Sequence, residues 1–426
     1  MVPPTTRPTV GAEHPDPGRP ARPGGTERWA GEASWAGEAF GVYVHVPFCA
    51  HRCDYCDFAT WSDRAHLVDA YVEACLADLG RRRAEPDVRP ATSVFFGGGT
   101  PSLLAAEHLA RLLAAVERAP GAEVTVECNP DSVDVAKLAA YRAAGVTRIS
   151  LGVQSFDPAV LGDLGRTHEP DNVRRAVAAA HEVGFDDVNL DLIAGTPGES
   201  PQSWAATVED ALALEPTHIS AYALTVEPAT PLGRRIAAGA APAPDDDDQA
   251  EKYGLADDRL RAAGFEWYEV SNWARPGREC RHNLLYWSGG DYLAVGCAAH
   301  GHTAGRRWWN VRTPERYLER IAAGESPEAG SEVLDAGTRA EEVFALALRT
   351  RTGVRVAGRA AREVRELGAA GLVVTTDADR VVLTRRGRLL GSDVTARLLL
   401  AGAVVDGGEA ADPAGTMGRP LEAGTR

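Results

Sequence analysis

No stretch of the chain offers the ~18 consecutive apolar residues that a membrane helix requires. The opening segment, MVPPTTRPTVGAEHPDPGRPARPGGTE, lacks a basic region followed by an apolar one and a small-residue cleavage site, so the expected location is the cytoplasm. Cationic charge is also scarce: 45 Lys and Arg stand against 60 Asp and Glu, a formal net charge of −15. An acidic total disfavours a general nucleic-acid binder, whose phosphate contacts demand a basic surface, and leaves room only for a local basic patch. Cysteine is sparse as well, with seven in 426 residues, an odd number and mostly far apart. That pattern excludes a disulfide framework and turns attention to any cluster, because clustered thiols in a reducing compartment bind metal or do chemistry.

One cluster exists. HVPFCAHRCDYCDF holds Cys49, Cys53 and Cys56 directly after the apolar run GVYVHV. Beyond it the chain alternates short β-branched runs (ATSVFFGGG, AEVTVEC, VTRISLGVQ, FDDVNLDLI, THISAYAL) with segments of helical periodicity such as AAEHLARLLAAVERA. Six strands separated by helices imply right-handed βαβ units and an α/β fold with a parallel sheet. Each strand delivers polar or flexible residues at its C-terminal end, where active sites of (β/α) barrels lie. Six units rather than eight predict an incomplete (β/α)6 barrel over residues 39–240. Pro- and Gly-rich tails at 1–38 and 404–426 read as disordered. APAPDDDDQ reads as a hinge or exposed insertion opening a middle region, 241–330, and GLVVTTDADRVVLTRRGRLL suggests a small winged-helix-like module within 331–403.

Three thiolates can hold three irons of a cubane [4Fe–4S] cluster, whereas complete protein ligation uses four, so one iron stays open. The competing chemistry is a zinc site built on the same cysteines with His51 or His45. FFGGGTPS matches neither a dinucleotide fingerprint nor a Walker A loop. Its glycines permit close backbone approach, with N–H groups turned toward an anion or zwitterion. Glu127, Gln154 with Ser155, Arg166 and Asp191 complete the mouth, supplying acceptors for hydroxyls and an ammonium and one guanidinium fork for a carboxylate. Cys75, Cys128, Cys280 and Cys297 read as buried small hydrophobes.

CxxxCxxC after the first strand resembles the radical S-adenosylmethionine (SAM) superfamily, which implies that the open iron chelates SAM. The resemblance carries Gly98, Gly99 and Thr100 over as SAM contacts, and Tyr43 with them. The ordered set YVHVPFCAHRCDYCDF, FFGGGTPS, VECNPD, RISLGVQSFD, GRTH and DLIAGTPGE, spread over residues 41 to about 400, is similar to the oxygen-independent coproporphyrinogen III oxidase family. Porphyrinogen-oxidising members carry a fourth cysteine two residues after the third; here that position is Phe58. The group with CDF there also carries HNxxYW, matched by HNLLYW at 282–287, and is implied to be a haem chaperone that binds haem near His282 and hands it to acceptor proteins. His300 and His302 in CAAHGH are further ligand candidates. An electron donor and a homodimer are partners this resemblance admits. The alternatives are coproporphyrinogen oxidation and, from the basic C-terminal segments RTRTGVRVAGRAAR and LTRRGR, a nucleic-acid-modifying radical enzyme.

Overall fold

The computed structural model describes residues 39–356, 358–376 and 380–403; the tails expected at 1–38 and 404–426 lie outside the described residues. The six expected strands are β1 (Phe40–Val46), β2 (Ala91–Gly98), β3 (Arg118–Cys128), β4 (Arg148–Gln154), β5 (Asp187–Ala194) and β6 (His218–Ala223). They lie side by side in chain order and pair in parallel throughout. Crossover helices cover their outer face, among them Val68–Arg82, Ala106–Ala115 and Pro170–Glu182. β1, β4 and β5 are buried along nearly their whole length, as parallel strands under helices must be, while β3 is buried mainly in its second half.

The sheet continues past both ends of this half-barrel. Beyond β6 it adds β7 (Glu266–Glu269) and β8 (Asn272–Ala274), with β8 antiparallel to β6. Beyond β1 it adds β9 (Asp291–Val295), β10 (His300–Thr303), β11 (Arg306–Asn310) and β12 (Glu328–Val333). The order is β12-β11-β10-β9-β1-β2-β3-β4-β5-β6-β8-β7, so the described sheet has two free ends and does not close. Trp273, Leu293, Val295 and Trp308 from these additions share one core with the barrel strands.

A three-stranded sheet, β13 (Val354–Arg355), β14 (Val373–Thr375) and β15 (Arg380–Leu383), packs with C-terminal helices on a second apolar cluster. Two arginines of its LTRRGR run are spent on the protein itself. Arg385 and Arg388 both bond the Asp257 carboxylate, at 2.6 and 3.0 Å, and Arg388 is buried over the Trp267 ring. That consumes much of the LTRRGR patch behind the nucleic-acid alternative.

The acidic run expected as a hinge is instead a helix start. Asp245 caps the helix Asp246–Ala262, accepting the Asp248 N–H at 2.8 Å, and Asp246, Asp247 and Asp248 occupy its first turn. Carboxylates suit that position because the first-turn N–H groups lack intrahelical partners and the helix dipole is positive there.

Candidate functional site

The loop after β1 is closed by its own backbone. Cys49 N–H donates to the Trp61 carbonyl at 3.0 Å and Trp61 N–H to the Pro47 carbonyl at 2.8 Å. Asp54 ties the middle of the loop to the next layer: its N–H reaches the Leu164 carbonyl at 3.0 Å and its carboxylate pairs with Arg235 at 2.7 Å. Cys49, Cys53 and Cys56 are thereby held half-buried on one loop. Thr100 Oγ1 lies 3.7 Å from the Cys49 sulfur, and Arg166 Nη1 lies 3.5 Å from that of Cys53. Burial pushes the Cys49 and Cys56 thiols above their ordinary range, each also raised by the neighbouring cysteines. Coordination to iron removes such protons outright. Of the two histidines in the zinc alternative, His45 has both ring nitrogens engaged, with Nε2 donating to the Ala59 carbonyl and Nδ1 accepting from the Tyr43 hydroxyl, both at 3.0 Å, which leaves the exposed His51 as its fourth ligand.

The glycine run works differently from the anion cradle expected of it. Gly98 N–H donates to Glu127 at 3.1 Å, Gly99 N–H to the Val46 carbonyl and Thr100 N–H to the Phe48 carbonyl, both at 2.8 Å. The N–H groups are therefore spent within the protein. What glycine supplies is proximity: Gly98 adopts φ +110°, and a Cβ on Gly99 would sit 2.7 Å from the Phe48 carbonyl oxygen. The β2 end is in this way pressed against the cysteine loop.

Glu127, Gln154, Arg166 and Asp191 ring the same strand ends. Gln154 closes β4 with φ 66°, a conformation rare outside glycine. Ser155, grouped with it in the sequence, is buried against Thr207 at 3.1 Å. Arg166 bonds the Gly152 carbonyl at 2.6 Å and His168 Nδ1 at 3.3 Å, so none of its hydrogen-bond partners is a carboxylate. His168 steers it, with Nε2–H fixed on the Val153 carbonyl at 3.1 Å. Burial and the guanidinium together press that imidazole down to about 4, so it stays neutral. Asp191 accepts from Ser150 at 2.9 Å and Asn189 at 2.8 Å, while burial raises its pKa.

Beneath these ends lies a cavity of about 250 Å³ inside the half-barrel, whose polar lining sequence reasoning missed: Arg148, Ser150, Asn189, His218 and Ser220. They sit two apart on successive strands and so share the inner face. His218 bridges Asn189 and Tyr268 at 2.6 and 2.8 Å. Arg148 Nε and Thr125 Oγ1 are buried without a hydrogen-bond partner. Orphaned polar atoms of this kind require a partner, such as a water, an ion or a polar ligand in the cavity.

Burial, and secondarily Asp191, pushes Glu127 up to about 8 from an ordinary 4.5. The folded chain holds this proton where an unfolded glutamate has lost it. Stability of the cluster-free protein should therefore fall as pH rises from about 4.5 to 8, by at most about 1.4 kcal/mol per pH unit. Thermal melts of Glu127→Gln should show a flatter slope and a higher Tm at pH 8; an unchanged slope would assign the proton elsewhere.

Comparison with known proteins agrees with this arrangement. Residues 43–211 match the Radical SAM superfamily. The heme chaperone HemW of Mycobacterium tuberculosis is 48% identical over 370 residues, covering 84% of this chain and 95% of the relative. That of Bacillus subtilis is 34% identical, covering 83% and 97%. The chain belongs to the HemW family. Its fold is also that of coproporphyrinogen III oxidase (HemN) from Escherichia coli, at a TM-score of 0.73 and 21% identity, covering 86% of this chain and 91% of that one.

In this member of the HemW family the HNLLYW segment forms the helix Arg281–Trp287, whose N-terminal turn hangs on Glu123: the Arg281 and His282 N–H groups donate to its carboxylate at 3.1 and 3.2 Å. His282 is 1% exposed. Its Nδ1 lies 2.9 Å from Ser93 Oγ and its Nε2 2.9 Å from the Tyr286 hydroxyl. The ring stacks on Phe95 at 5.3 Å, and burial drives its pKa down to about 3. Both ring nitrogens are thus occupied at the position where the family pattern implies haem. His302 is buried with Nδ1 at 3.3 Å from the Gly290 carbonyl, whereas His300 is exposed. Cys75, Cys128, Cys280 and Cys297 are buried as expected, and no helix among the described residues is long and apolar enough to cross a membrane.

Proposed function

We propose that this chain takes up haem and passes it to acceptor proteins, as the name of its relatives states of them. In this proposal Cys49, Cys53 and Cys56 hold a [4Fe–4S] cluster, and Tyr43, Gly98, Gly99, Thr100, Glu127, Gln154, Arg166 and Asp191 contact SAM. When bound, such a cluster supplies an open iron and one electron to SAM. The protein's own groups are suited to these tasks. His45 fixes the Tyr43 hydroxyl, His168 fixes the Arg166 charge, and Glu127 carries a proton at neutral pH.

The observation that carries the chaperone over the oxidase reading is Phe58. It stands 67% exposed at the position where oxidases of the resembled family carry a fourth cysteine, offering an apolar face instead of a thiol. A cytoplasmic chain with an electron donor, a homodimeric form and haem held on the face that includes Tyr286, hydrogen-bonded to His282, completes the proposal. Anaerobically reconstituted protein should take up haem stoichiometrically and form no protoporphyrinogen from coproporphyrinogen III, SAM and reductant. Turnover to protoporphyrinogen without haem retention would overturn it and restore the oxidase alternative.

A further inference from the structure

We infer that the haem lies in the groove between the cysteine loop and β10, with His300 as its axial ligand and Arg312 on a propionate. This rests on the haem-chaperone proposal and goes beyond it by moving the ligand away from His282. The groove, about 360 Å³, is lined by His45, Phe58, Tyr286, Tyr292, His300 and Arg312. Its volume falls in the range of ligand pockets, which typically hold ~300–1,000 Å³.

A haem site needs a neutral imidazole with a free nitrogen, aromatic faces for the macrocycle and a cation for a carboxylate. Of the histidines on these faces, His45, His282 and His302 are buried and hydrogen-bonded. His300 is exposed, packs its ring on Trp309 at 6.1 Å, and has no hydrogen-bond partner among the described residues. Partial burial and the nearby Arg307 lower its pKa, which keeps the ring neutral at physiological pH. Phe58 supplies the exposed apolar surface, and the Tyr286 and Tyr292 rings meet edge to face at 4.6 Å behind it. Arg312 is exposed and forms no ion pair among the described residues; Asp57 is the one acid on the groove.

Release argues the same way. A ligand histidine at His282 would have to surrender its contacts with Ser93 and Tyr286 on every loading. An open groove with one exposed imidazole gives haem up to a competing ligand without unpacking the core. Tyr43 and Tyr286 line both this groove and the half-barrel cavity, so the haem would lie one wall away from the proposed SAM chamber.

The test is titration of full-length, cluster-reconstituted protein with ferric haem, followed by the Soret band and by resonance Raman of the axial ligand. His300→Ala should lose the imidazole-ligated spectrum and weaken binding about tenfold or more, with iron–sulfur content unchanged; added free imidazole should restore the spectrum. Arg312→Gln should weaken haem but leave its dimethyl ester unaffected. If His300→Ala keeps the wild-type spectrum, or if His282→Gln alone loses it with the cluster intact, the assignment of His300 is overturned. If the unaltered protein takes up no haem, the chaperone proposal itself falls.

Discussion

Replacing Cys53 by alanine is expected to leave a folded chain that holds no cluster. The loop does not depend on its thiols for shape: the Phe48–Trp61 bridge closes it, and Asp54 anchors it to Leu164 and Arg235. The side chain of Cys53 meets only the Arg166 guanidinium among its hydrogen-bond partners, so its removal leaves a small gap while Arg166 stays held by the Gly152 carbonyl and His168. Three cysteines already leave one iron open, and two are too few to retain a cubane. Iron and sulfide should drop from about four per chain to background while circular dichroism is unchanged. Cys75→Ala, altering a thiol buried in the core beside Tyr71 and Tyr317, should retain the full complement. Unchanged iron in Cys53→Ala would sink the cluster assignment, and one zinc per chain in place of iron would return the zinc reading.

The elements that position this loop were legible because parallel strands and their helices leave strong local patterns. GVYVHV, VTRISLGVQ and THISAYAL each became a barrel strand, and the residues at their C-terminal ends did converge. The half-barrel interior was legible in principle. Arg148 and Ser150, Asn189 and Asp191, and His218 and Ser220 are polar residues two apart in strands whose both faces should be apolar, and that parity marks an inward polar face. What no local pattern carries is pairing across the chain. The edge strands reach β1 and β6 by contacts between distant segments, and His282 is locked by Ser93, 189 residues away. The basic C-terminal run looked like a surface because its acidic partners sit on the Asp246–Ala262 helix. The glycine run shows its need for small residues within the fold itself: a Cβ on Gly99 would meet the backbone of the β1 loop, a neighbour that its local sequence does not reveal.

The same long-range character explains GTPGE, a motif whose last residue finds its partner 53 residues later, and it sets the second large effect, in Lys252. This ammonium is fully buried and spends its donors on the Glu199 carbonyl at 2.7 Å, the Glu199 carboxylate at 3.3 Å and Asp248 at 2.7 Å. Glu199 in turn accepts the Gly195 N–H at 2.8 Å, so the pair locks the loop that follows Asp191. Lys252→Met keeps the volume but strands a buried carboxylate, which should cost about 3–5 kcal/mol at pH 8. Burial already raises the Glu199 pKa, with Lys252 holding it partly down. Without Lys252 the carboxyl keeps its proton to higher pH, and stability is lost as pH rises through that folded-state value. The gap between variant and parent should therefore narrow toward pH 5. Adding Glu199→Gln to Lys252→Met should recover more than half of the loss at pH 8, since a neutral amide needs no counter-charge. Denaturant melts of the three proteins at the two pH values decide it. A gap independent of pH, or a double variant no better than the single one, would mean that the lysine acts through packing, and that charge plays no part in holding the loop beside the proposed SAM-contacting residues.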